Sequence, residues 1–77
     1  MTEIAKVREY LVIYEKTATG YSAYVPDLPG CISTGPTIET TRERMHEAIS
    51  GHLATMKEFG DPVPQPTTFA EPMRVPA

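Results

Sequence analysis

Ten acidic side chains are the first place to look for chemistry in this 77-residue chain. Nucleic-acid hydrolases gather three or four carboxylates around metal ions. The spacing here does not allow such a set. Asp27 stands in a proline-rich turn and Asp61 follows a predicted helix, while Glu9 and Glu15 fall near the two ends of a predicted strand. Glu39, Glu43 and Glu47, at i, i+4 and i+8, form a ridge on that helix away from its apolar band. The ridge reads as a solvated face or as an acidic strip for a basic partner. Within it, Glu39 with Arg42 and Arg44 with Glu47 are spaced for ion pairs.

The other candidates for chemistry are isolated. His46 and His52 are the obvious general bases, but six residues place them about 120° apart around a helix, where they cannot share a substrate. Cys31 is the sole cysteine and has no CxxC partner, so it reads as a small buried hydrophobe. Ser22 and Ser33 lack the GxSxG setting of a nucleophile elbow, and the separated glycines form no phosphate cradle. A hydrolase built from Asp27 and one histidine is the weakest reading. The expectation is a chain without catalytic residues, metal or cofactor, which works by binding.

Composition narrows what it binds. A net charge of −3 and a pI near 5.2 disfavour a grip on phosphate backbones, which rests on Lys and Arg, and favour a basic partner. The competing reading is a nucleic-acid module using Lys6, Arg8 and Lys16, with Tyr10 or Tyr14 as stacking platforms. No apolar run approaches the length of a membrane span, roughly 20 residues. The opening MTEIAKVREY carries no signal-like hydrophobic region. A cytoplasmic protein is expected.

The elements that position these residues follow from periodicity. REYLVIYEK, residues 8–16, is rich in β-branched and aromatic residues and predicts strand one; TATG then turns into a second strand, GYSAYVP, closed by Pro26. Asp27, Leu28, Pro29 and Gly30 make a turn, and residues 31–34 read as a third strand interrupted by Gly35 and Pro36. From Ile38 the period becomes 3.6. Ile38, Met45, Ile49, His52, Leu53 and Met56 share one face, with Thr41, Arg42, Ala48 and Phe59 at its margins. Thr37 is placed as N-cap, with Thr40 where a capping box wants Glu or Gln, and Gly60 marks the C-terminal stop. Such a helix, about 33 Å long, crosses a three-stranded sheet. Pro62, Pro64, Pro66, Pro72 and Pro76 then forbid helix and central strand, leaving an extended tail with a short edge strand near residues 73–75.

The expected fold is α+β: a three-stranded antiparallel sheet with one amphipathic helix across it and a possible fourth strand, β-β-β-α-β. Strand one is apolar on both faces, with Tyr10, Val12 and Tyr14 on one and Leu11 and Ile13 on the other, yet one helix covers a single face. A chain this short buries only about 60% of its unfolded surface. The second face therefore predicts association, as a homodimer or tetramer. Gly51, mid-helix beside Ser50 and Ala54, is either tolerated drift or a small-residue patch for close approach. Tyr24, Pro26, Leu28 and Pro29 form the other candidate contact surface, with Asp27 among them.

These residues resemble a known family. The stretch from Tyr10 to Pro66, and above all GYSAYVPDLPGCISTG at 20–35 with GDPVPQP at 60–66, is similar to the HicB antitoxins. The resemblance implies a partial RNase H-like fold that has lost the nuclease carboxylates, with residues 1–66 as the HicB-like domain and 67–77 as a proline-containing tail. It also implies a role: binding a small basic HicA-type mRNA interferase and sterically blocking its access to RNA. Tyr24, Pro26, Asp27, Leu28, Pro29, Glu39, Glu43 and Glu47 are the expected partner-binding residues. Family members often add a C-terminal DNA-binding domain. The eleven residues after Pro66 are too few and too proline-rich for one, so promoter binding is not expected of this chain, and an orphan homo-oligomeric regulator is the alternative.

Overall fold

The computed structural model describes residues 7–77. Three strands, β1 (Ile13–Lys16), β2 (Tyr21–Tyr24) and β3 (Ile32–Gly35), form an antiparallel sheet in the order β1-β2-β3, followed by the helix α1 (Ile38–Glu58). The α+β reading holds. The β1–β2 link is closed by the Thr17 amide donating to the Gly20 carbonyl at 2.9 Å, with the Gly20 amide donating to Thr17 Oγ1 at 3.1 Å.

Strand one is shorter than its composition predicts. The ladder begins at Ile13, opposite Tyr24, so continuing it would set Leu11 against Pro26, which has no N–H to donate. The Val25 amide is already committed to the Cys31 carbonyl at 3.2 Å. Residues 8–12 therefore lead into the sheet without a ladder of their own. Gly35, expected to break strand three, is instead its last residue and pairs with Tyr21. The fourth strand is a correction: among the described residues, 73–75 form no strand. A segment flanked by Pro72 and Pro76 has too few donors to hold an edge alone.

Strand alternation divides the sheet. Tyr14, Ala23 and Ser33 form one cross-strand row beneath α1, which lies over β3 and β2. Ala23, Val25, Leu28, Cys31 and Met45 make the core, with Tyr10, Val12, Tyr14, Ala48, Ile49 and Leu53 packed around it. Leu28 and Met45 are the bulkiest of the fully buried side chains. Burying such a side chain contributes about 1.5–3 kcal/mol. The predicted helical band is the packed one, but its centre lies at Met45 and Thr41, a residue expected only at the margin. Thr41 is fully buried. It tolerates this because a buried hydroxyl needs a partner, and its own donates to the Thr37 carbonyl at 2.7 Å.

Both helix ends follow the sequence. Thr37 has extended backbone, with φ -130 and ψ 162. Its hydroxyl accepts from the Thr40 amide at 3.1 Å, the bond expected of an N-cap threonine. Thr40 cannot complete a capping box. Its hydroxyl oxygen accepts from Thr37 Oγ1 instead, at 3.0 Å. At the other end the Gly60 amide donates to Lys57 and the Asp61 amide to Met56, with Gly60 at φ 72. This is the paired hydrogen bonding of a Schellman motif, which needs a left-handed residue at Gly60.

Beyond Gly60 the proline-rich chain is a strap rather than a loose tail. Val63, Pro64 and Pro66 are half-buried. The Tyr10 hydroxyl donates to the Pro64 carbonyl, and the strap is fastened again at Thr67 and Thr68. Among the described residues, no helix is long and apolar enough to cross a membrane.

Candidate functional site

Among the described residues, α1 packs on one face of the sheet and leaves the other open. Ile13, Tyr24 and Ile32 form its apolar row, one residue from each strand, and Glu15, Ser22 and Thr34 form the polar row beside it. Ile32 is 69% exposed and Tyr24 38%. Branched and aromatic side chains aligned at the centre of an open sheet, with a carboxylate at the edge, suit a partner that is apolar at its middle and basic at its rim. Ile32 was missed in the sequence as a member of this exposed row. The signal was its alternation with Ser33, obscured by the expectation that residue 31 starts the strand.

The turn residues divide between structure and surface. Leu28 is 1% exposed: its side chain packs in the core, which corrects its placement as a contact residue. The turn that carries it is cross-braced by the Leu28 amide donating to Val25 and the Cys31 amide to Leu28, and Gly30 takes φ 83 to close it. Pro29 is exposed and Pro26 half-buried. Asp27 is engaged within the chain. Its carboxylate accepts four hydrogen bonds: from the Thr68 hydroxyl at 2.6 Å and amide at 2.9 Å, and from the Thr67 amide at 3.0 Å and hydroxyl at 3.1 Å. Donors to a carboxylate favour its ionised form. Here, with the Thr68 hydroxyl foremost, they pull the pKa from 3.8 down to about 2.

Glu39, Glu43 and Glu47 are all exposed on α1. Arg44, expected to pair with Glu47, reaches across to β3, where its guanidinium donates to the Thr34 carbonyl at 2.9 Å. The two histidines diverge as their spacing requires: His46 lines a groove with Arg8, Tyr10 and Val63, and His52 lines another with Cys31 and Gly51. Asp27, held by Thr67 and Thr68, lines neither of these two grooves. Among the described residues, no three His, Cys, Asp or Glu side chains come together as a metal set. Cys31 is buried, and loss of water around the thiol pushes its pKa up. Of the cations suggested for nucleic-acid binding, Lys6 lies outside the described residues.

The class that the fold defines is a small α+β domain, an open three-stranded antiparallel sheet backed by one helix. Comparison with known proteins places it more closely. Residues 10–77 match the family model described as the HicB-like antitoxin of bacterial toxin-antitoxin systems. The chain belongs to the HicB-like antitoxin family. It is similar to a chain in the solved HicA3 and HicB3 toxin-antitoxin complex, with a TM-score of 0.67 and 30% identity, covering 78% of this chain and 70% of that one. Among curated relatives, a UPF0150 protein of Synechocystis is 31% identical over 71 residues, which are 91% of this chain and 90% of that protein. An uncharacterised 14.9 kDa protein of Haemophilus phage HP1 is 39% identical over 56 residues, 73% of this chain. This chain spans only 42% of the phage protein's length.

Proposed function

We propose that this chain is an antitoxin that binds a small, basic HicA-type ribonuclease and occludes it from RNA, without catalysis of its own. The observation that carries this reading is the Ile13–Tyr24–Ile32 row, with Tyr24 and Ile32 exposed, on an acidic chain whose fold is similar to that of a chain from a toxin-antitoxin complex. The apolar row supplies contact area, while Glu15 at the sheet edge and Glu39, Glu43 and Glu47 on the helix supply long-range attraction for a cationic partner. Blocking requires only that the RNA and this chain compete for one surface. In this reading the protein works in the cytoplasm as a homodimer or tetramer, which multiplies the contacts available to a toxin.

The test is capture of the tagged chain's partner from a lysate of its own source cells at moderate salt, followed by an RNA-cleavage assay of that partner. A stoichiometric small basic ribonuclease is expected, silent in the presence of the wild-type chain and active again beside Tyr24→Asp or Ile32→Asp. Both substituted positions are exposed, so each variant should keep its circular dichroism spectrum. A partner that still cleaves RNA when bound, or equal inhibition by both folded variants, defeats the reading.

A further inference from the structure

The self-association proposed above leaves open which parts of two copies meet, and the strap carries that question further. Beyond Thr68 the chain leaves the fold: Phe69, Met73 and Val75 are 83%, 76% and 70% exposed. The radius of gyration is 15.1 Å. A compact domain of this length would have about 11.5 Å. Three large apolar side chains held in water on one short arm mark a segment built to be covered.

A groove of about 710 Å³ lies on the same molecule, between residues 8–10, the helix and the strap. Ile49, Leu53 and Val63 give it an apolar floor, and Arg8, Lys57 and His46 line it with bases, against the single carboxylate of Glu9. Two of the chain's seven Lys and Arg side chains thus share one groove in a protein of net charge −3. That charge is wrong for a basic toxin and right for an apolar segment carrying an acid. The arm, Phe-Ala-Glu-Pro-Met-Arg-Val from residue 69 to 75, is such a segment, with Glu71 between Phe69 and Met73 and with Arg74 to meet Glu9.

The arm does not return to its own groove. Val63 lines the groove, the strap then passes Tyr10 at Pro64 and is held to Asp27 through Thr67 and Thr68, and beyond that anchor Phe69, Met73 and Val75 stay exposed and line no part of it. We infer that residues 69–75 of one copy fill the Arg8–Lys57 groove of a second copy, and that the exchange is reciprocal. Phe69 and Met73 pack over Leu53 and Ile49, and Glu71 pairs with Arg8 and Lys57. A twofold axis satisfies both arms and both grooves at once. The inference rests on the self-association reading and is independent of which toxin, if any, is bound.

Two variant sets test it on the full chain. Ser50→Cys/Met73→Cys places one thiol at the groove and one on the arm, while Cys31 is buried. Mild oxidation should give covalent dimers, and monomers closed by an internal disulfide would overturn the exchange. Second, Arg8→Glu and Glu71→Arg alone should each weaken association about three- to tenfold by sedimentation equilibrium, and the double variant should recover most of it. If the wild-type chain is monomeric at every concentration, self-association itself fails. If it associates but Phe69→Glu/Met73→Glu associates equally well, only the exchanged arm fails.

Discussion

Thr41 sits directly over Gly35, so close that a Cβ on the glycine would lie 2.6 Å from Thr41 Oγ1 and 3.0 Å from the Thr41 amide nitrogen. The first turn of α1 rests on the last residue of β3 with no side chain between them. Gly35→Ala must push back helix backbone as well as a buried hydroxyl, and we expect it to cost about 1–3 kcal/mol, read as a lower urea midpoint at unchanged slope. Gly20→Ala should be destabilising for a related reason, because its Cβ would run into the Gly35 carbonyl.

The Asp27 carboxylate fastens the strap only while ionised. Its folded pKa, about 2, lies below the ordinary 3.8. A depressed carboxylate pKa gives stability that is complete above about pH 4, declines as pH falls and is gone below about pH 2. Amide resonances of Thr67 and Thr68 should titrate together in that window. Asp27→Asn, which replaces one acceptor oxygen by a donor, should speed hydrogen exchange at both amides at neutral pH and leave the helix signals unchanged. Slow exchange at both amides in the variant would show that other contacts hold the strap.

A methyl group at Gly51 would meet nothing within 4 Å. Gly51→Ala should therefore raise stability by about 1 kcal/mol, seen as a higher melting temperature. A gain in melting temperature coupled to weaker self-association would identify this small-residue patch as a contact between copies.

The Cys31 thiol, enclosed in the core with a raised pKa, should be nearly inert to a disulfide reagent under mildly alkaline conditions and react in full once the chain is unfolded in urea. Fast reaction of the native protein would mean that the turn from Val25 to Cys31 opens readily.

What could be read from the sequence was whatever local chemistry decides. The Thr37 cap, the Gly60 stop and the short link of the first hairpin depend on neighbours a few residues away, and each forms where its residue types require. The open second face was legible in part, because Ile13 alternates with Tyr14 along β1, whereas Leu11 and Val12, read as the same strand, lie before the ladder. Long-range contacts were not. Leu28 looked like a surface residue among turn formers, and only the closure of the turn over Met45 and Ala23 makes it core. Asp27 looked free to meet a partner, because its donors lie 40 and 41 residues away on a segment whose prolines suggested a loose tail. The groove beside Arg8 needs three separate segments before it exists at all.

The strap also sets an order of events. Both hairpins close over a handful of residues, whereas Tyr10 meets Pro64 across 54 positions and Asp27 meets Thr68 across 41. Contacts that span most of a chain form after local ones in folding, and on a ribosome they must wait for their later member to emerge. The sheet and helix can therefore form while the fastening is still open. A protease cut between Gly60 and Pro64 would return a finished molecule to that half-closed state, its Tyr10 and Asp27 partners no longer tethered to the domain.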